Sequence, residues 1–207
     1  MVIIQDVLDL AKYSELSGVA IKDNTPAIVL FMNAAMLELH KRFPLKVEEH
    51  VIPLIEGTTT YTLPTNFLYP LEAYGEVPEV TPYAMPPRIP INEEADISSI
   101  FFPNHTQVQV PLSNDGAFIS LVYAAKPPRY DENDVALELD LPETLIEPLM
   151  QYMGYKAHSG ISSGVQDENN VHYQRFDRSC KKARELGVAY PLDSWSMTNR
   201  LLDRGFP

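Results

Sequence analysis

V-A-L-E-L-D-L-P-E-T-L-I-E-P-L-M-Q-Y-M-G-Y-K-A-H at residues 135–158, with N-N-V-H-Y-Q-R-F-D-R-S-C-K-K-A-R-E-L-G at 169–187, decides the fold. Alternating apolar residues at 135–139 predict a last strand, which Leu141-Pro142 turns into a helix. Leu145, Ile146, Leu149, Tyr152, Met153 and Ala157 recur at helical spacing and face inward. Pro148 inside that stretch demands a later helix start or a kink. A polar, glycine-containing break at 159–164 separates it from a second helix at about 167–186. That helix has Tyr173, Phe176, Cys180 and Ala183 as its inward stripe, and Gly187 stops it. A helical hairpin of this kind needs a third helix to cover it.

The N-terminal region supplies one. Ile4, Val7, Leu8 and Ala11 form one face of a short amphipathic helix, followed by a loop at 15–24. Thr25-Pro26 reads as a capping hydroxyl and a first-turn proline. Behind them Ile28, Phe31, Met32, Ala35 and Leu39 form one stripe, and Leu30, Ala34 and Leu37 a second. A helix apolar over so much of its surface must be covered on two sides. His40-Lys41-Arg42 suits its C-terminal dipole, and Phe43-Pro44 ends it.

Most of the 18 prolines fall between Pro53 and Pro142, so the middle of the chain is strands and loops. Glu56-Gly57 between two β-rich runs predicts a hairpin, and residues 66–74 are apolar but of uncertain type. Residues 77–90 form a long proline-rich loop. It either packs on its own sheet or exposes Tyr83 and Met85 to a partner. Strands follow at 106–110 and 117–124 across Ser113-Asn114-Asp115-Gly116. Ile119, Leu121 and Tyr123 alternate with Phe118, Ser120 and Val122, so the second strand is apolar on both faces and central.

The fold class is therefore α+β: a helical bundle with an inserted antiparallel β domain and an extended C-terminal arm. The divisions fall at residues 1–50 for the N-terminal helices and 51–140 for the β insertion. The helical hairpin takes 141–187 and the arm 188–207.

Charge and motifs narrow the function. A net charge of −12 opposes general binding to phosphate backbones. No run approaches the roughly 20 apolar residues of a membrane helix, and the opening Met1-Val2-Ile3-Ile4-Gln5-Asp6 is not a secretory signal. The single cysteine, Cys180, is read as a small core residue and is compatible with a reducing compartment. The acidic groups at 131–134 and at Glu93, Glu94 and Asp96 read as solvated loops, lacking calcium-loop spacing. Glu168 and His172, four apart, are too few ligands for zinc, and His40, His50, His105 and His158 are scattered. Asn104-His105-Thr106 matches the glycosylation sequon. With no phosphate-binding glycine loop, G-x-S-x-G or H-E-x-x-H, the expectation is a protein that is not an enzyme and uses no cofactor or metal.

The ordered set of pieces resembles the head-to-tail adaptor (connector) proteins of tailed bacteriophages, especially the short-tailed type. The pieces are I-I-Q-D-V-L-D-L-A, F-M-N-A-A-M-L-E-L-H-K-R-F-P, G-T-T-T-Y-T-L-P, I-S-L-V-Y-A-A-K-P-P, and D-L-P-E-T-L-I-E-P-L-M-Q-Y-M-G-Y-K-A with the Y-Q-R-F helix. They span most of residues 3–187; segments 77–90 and 188–207 do not match. The resemblance implies a ring, usually of twelve subunits, that docks under the portal and offers its far side to the tail or nozzle protein. It implies that genomic DNA passes through the channel without specific binding and that no membrane is a partner. It implies a virion protein of the head–tail junction, present in the host cytoplasm during assembly. A stopper or tail-completion role, or a connector with peptidoglycan-hydrolase activity, remains an alternative.

In that setting Arg175, Arg178 and Lys182, with Lys181 and Arg184, form a basic stripe opposite the core face of the last helix. It is either a solvated face or a contact with the portal or the next subunit. Tyr190, Trp195, Arg200 and Phe206 are the candidate anchors of the arm.

Overall fold

The computed structural model describes residues 2–76, 87–94, 96–110, 117–159 and 166–187. The chain forms two compact units, one of Met1–Phe43 with Pro128–Pro207, the other of Pro44–Pro127. Together they make an α+β fold of four helices and two antiparallel sheets among the described residues.

In the helical unit, α1 (Ile4–Tyr13) buries Ile4, Val7, Leu8 and Ala11, the face its spacing predicts. The chain then turns through a short 3-10 segment at Ala20–Asp23 into α2 (Thr25–Arg42). The cap of α2 is Asn24, not Thr25. The Asn24 Oδ1 accepts from the Ala27 N–H at 3.2 Å, and its carbonyl accepts from the Ile28 N–H at 3.1 Å. With Asn24 as the cap, Thr25 falls inside the helix and Pro26 sits where no N–H partner is needed. α3 (Ile146–Ser159) packs against α1, α2 and α4 (Gln166–Glu185) and is the hub of the unit. Its late start resolves the Pro148 problem: a 3-10 turn at Glu143–Leu145 precedes it, and Pro148 falls in the first turn. Leu8, Leu16, Met32, Leu39, Phe43, Leu149, Met153 and Phe176 are fully buried between these helices.

The expected strand at residues 135–139 does not form. Asp134–Ala136 is a 3-10 turn, followed by one isolated bridge between Ile3 and Glu138. The Asp134 carboxylate accepts from the Asp131 N–H at 2.8 Å, closing the turn locally. Only the short segment before α1 lies alongside: Ile4 N–H donates to the Leu137 carbonyl at 3.0 Å and Leu139 N–H to the Val2 carbonyl at 2.9 Å. Alternation without a partner strand makes no ladder. The compact β unit spans Pro44–Pro127.

In the β unit, β6 (Phe118–Ala125) is central to a sheet ordered β1-β6-β3, with β1 at Val47–Pro53 and β3 at Phe67–Glu76. Ile119 to Ala125 are all buried, as two apolar faces require. A second sheet, β2-β5-β4, consists of Thr60–Thr62, Gln107–Gln109 and Phe101–Asn104. Ile52, Leu63, Phe67, Ile100, Val108 and Leu121 share one core cluster.

Two expected hairpins are not ladders. The turn at Glu56-Gly57 exists, with Gly57 at φ 77° and Thr58 N–H donating to the Ile55 carbonyl at 3.0 Å. Its flanking strands go to different sheets, however. The Tyr61 hydroxyl accepts from the Ile55 N–H and donates to the Thr58 carbonyl, both at 3.0 Å, occupying groups a ladder would use. Likewise β5 and β6 lie in different sheets; their connection at 113–116 is outside the described residues. The end of the proline-rich loop returns to the edge of β3: Gly75 N–H donates to the Pro87 carbonyl at 2.9 Å and Ile89 N–H to the Ala73 carbonyl at 2.8 Å.

Leu121 is fully buried on β6, so Leu121→Ala should destabilise the β unit by about 2–5 kcal/mol, seen as a lower urea midpoint in equilibrium unfolding.

Candidate interaction surface

α4 is helical because its apolar residues recur at 3.6-residue spacing, and it ends because Gly187 adopts φ 76°. The Gly187 N–H donates to the Arg184 carbonyl at 2.9 Å. Phe176, Cys180 and Ala183 face inward and are buried. Burial pushes the Cys180 thiol up to about 11, so it is an unreactive core group. Tyr173 departs from the expected stripe, being 39% exposed. It sits at the rim of an aromatic cluster, its ring 5.2 Å from Tyr155 and 5.9 Å from Phe176.

Beside that rim, Arg42 at the end of α2 clamps α4. Its Nη1 lies 2.9 Å from Asp177 Oδ1 and its Nη2 donates to the Tyr173 hydroxyl at 2.9 Å. Its Nε contacts Glu38 at 3.3 Å, and the guanidinium lies 4.4 Å from the Phe176 ring centroid. Burial works against the Arg42 charge, but Asp177 and Glu38 outweigh it and hold the guanidinium above its ordinary range. On sequence Arg42 was only a helix-end cation. Its partner Asp177 is 135 residues away, so no local signal marks the pair.

The five basic residues of α4 separate into two groups. Lys181 is paired with Asp177 at 2.9 Å. Arg184 donates to the Arg42 carbonyl at 3.3 Å and stacks 5.3 Å from the Phe43 ring, so it closes the C-terminal end of α2. Arg175, Arg178 and Lys182 are exposed and share the outward side of the helix with Val171, 45% exposed. Tyr83, Met85, Tyr190, Trp195, Arg200 and Phe206 lie outside the described residues.

α2 presents a second surface. Leu30 is 58% exposed, and Phe31, Ala34 and Leu37 are only half-buried. The expected second stripe is thus only partly covered among the described residues, while Ile28, Met32, Ala35 and Leu39 are fully buried.

A titratable group that sequence spacing did not reveal lies where α1's following loop meets α3 and α4. His172 Nδ1 is 2.9 Å from Glu15 Oε2, and the His158 ring stacks on His172 at 4.6 Å. Gly154 leaves the room, since a Cβ there would lie 3.1 Å from Glu15 Cβ and 3.2 Å from His172 Nδ1. Among the described residues no group of three His, Cys, Asp or Glu could hold a metal ion. Among them, too, no helix is long and apolar enough to cross a membrane. The sequon residues have a local use: Asn104 Oδ1 accepts from the Thr106 N–H at 2.9 Å and hydroxyl at 2.7 Å, forming the β4–β5 turn.

The helical unit thus carries a partly apolar face on α2 and a cationic stripe on α4, with the Arg42 clamp between the two helices. The family model for the SU10 adaptor protein matches residues 3–201. No curated protein matches the chain.

Arg42→Ala should cost about 1.5–3 kcal/mol in thermal or urea unfolding, because it removes the bridge from α2 to Asp177 and leaves the Tyr173 hydroxyl without its charged donor. The pH dependence follows from His172. Burial holds it below the ordinary imidazole value, outweighing Glu15, which raises it; His158 and Arg175 lower it further. The unfolded chain then takes up a proton that the folded chain resists, so stability falls as pH drops below about 6.5. His172→Gln should flatten that slope in melting curves recorded between about pH 5 and 8.

Proposed function

Because the chain belongs to the SU10 adaptor protein family, a family of bacteriophage structural adaptors, we propose that it forms a ring at the head–tail junction. In this reading it docks on the portal and supplies the platform to which the tail or nozzle protein attaches. Genomic DNA passes through its channel. The observation that carries the reading is the family match across residues 3–201, which takes in both structural units.

Physical features support it. A ring of identical subunits uses heterologous contacts, so each copy needs two different adhesive faces. The partly exposed Leu30, Ala34 and Leu37 stripe of α2 is the kind of face a neighbour buries. A net charge of −12 suits a wall along which DNA slides without sticking. Arg175, Arg178 and Lys182 offer a charged contact, and Tyr190, Trp195, Arg200 and Phe206 supply anchors in the segment 188–207, which serves as an arm reaching the portal. Tyr83 and Met85 in the proline-rich segment face a partner. Twelve copies form the ring, assembled in the host cytoplasm and retained in the virion.

Mixing the purified protein with the portal and imaging the product by electron microscopy tests the proposal. A ring seated on the portal is expected; no ring and no portal complex would sink it. Truncation before Leu192 should leave a protein with unchanged helical circular dichroism that no longer co-sediments with the portal. Loss of the fold on truncation would instead make the segment part of the folded unit.

A further inference from the structure

Charge is unevenly spread along this acidic chain. The β unit, Pro44–Pro127, carries ten acidic residues against three basic ones. The outward side of α4 is the reverse, with Arg175, Arg178 and Lys182 exposed beside the half-exposed Val171. These four residues are spaced four, three and four apart, so they line one side of the helix over roughly 16 Å at about 1.5 Å per residue.

The β unit carries a patch of matching composition in the residues near Asn92. Ile97 is 83% exposed, Glu93 and Glu94 are exposed and Asp96 is half-buried. The patch is fixed. Asn92 has φ 55°; its N–H donates to the Ile100 carbonyl at 2.9 Å, and its Oδ1 accepts from the Phe102 N–H at 3.2 Å. The buried Ser99 hydroxyl accepts from the Glu93 N–H at 2.9 Å. A contact there orders few additional groups, which lowers the entropic cost of association.

We infer that the cationic stripe of α4 in one copy seats the Glu93, Glu94, Asp96 and Ile97 patch of the next copy. Carboxylates meet Arg175, Arg178 and Lys182, and Ile97 packs on Val171. The occupant is a second copy because the two patches are different, opposite in charge and carried by one chain, as a heterologous contact requires. The inference rests on the ring reading and assigns α4 to the neighbouring subunit rather than to the portal.

Cysteine cross-linking tests it directly, since the native Cys180 is 1% exposed and does not interfere. Arg178→Cys and Glu94→Cys chains, mixed under assembly conditions with the portal and mildly oxidised, should give disulfide-linked dimers. Neither variant alone should do so. Arg178→Glu with Lys182→Glu should lower the assembled fraction about tenfold or more in light scattering, as should Glu93→Lys with Glu94→Lys. Combining the two reversals should restore it. Assembly that proceeds without cross-links and is indifferent to the reversals would overturn the contact and leave the ring standing. Portal binding lost with the α4 reversal and not restored by the swap would assign the stripe to the portal. Absence of any assembly would overturn the ring reading and this contact together.

Discussion

The Arg42 clamp on α4 is the interaction on which the helical unit depends most visibly. That unit is built from two stretches of chain, Met1–Phe43 and Pro128 onward, and nothing covalent nearby joins their ends. Immediately after Arg42 the chain leaves through Phe43, which is fully buried, to begin the β unit. The guanidinium sits where α2 would otherwise be free to fray. It reaches Asp177 and Tyr173 on α4 and Glu38 on its own helix while lying over Phe176. Arg184 answers from α4 by donating to the Arg42 carbonyl. A partly desolvated charge with several partners resists sliding, because displacement leaves a charge or a hydroxyl unmatched.

Fixing α2 in this way has a consequence for recognition. With Ile28, Met32 and Leu39 committed to the core, Leu30 is left on the outside, together with the half-buried Ala34 and Leu37. The same clamp holds α4 so that Arg175, Arg178 and Lys182 point away from the unit. An apolar face and a cationic one therefore come from the same packing choice. This two-faced character is what a subunit with unlike neighbours needs.

Several elements were legible because their information is local. The 3.6-residue spacing of Ile4, Val7, Leu8 and Ala11, the double apolar pattern of β6 and the glycine stop at Gly187 each depend on a few neighbouring residues. The failures share one cause. Residues 135–139 alternate like a strand, and Glu56-Gly57 reads like a hairpin, but a ladder also needs a partner in register. Tyr61 and Asp134 claimed the local hydrogen bonds instead. Helical spacing alone set Arg175, Arg178 and Lys182 apart from their neighbours Lys181 and Arg184; only packing showed what those two hold, Asp177 and the Arg42 carbonyl.

By itself the amino-acid order determined which stretches are helical, where proline forbids helix, which strand is central and how acidic the chain is. It also carried enough ordered pattern to resemble a known family. Only the tertiary structure decided which strands share a sheet, and that Arg42 meets Asp177 and Glu15 meets His172 across the helical unit. Periodicity and capping act over one or two helical turns, whereas pairing between segments more than a hundred residues apart is settled by packing the whole chain at once.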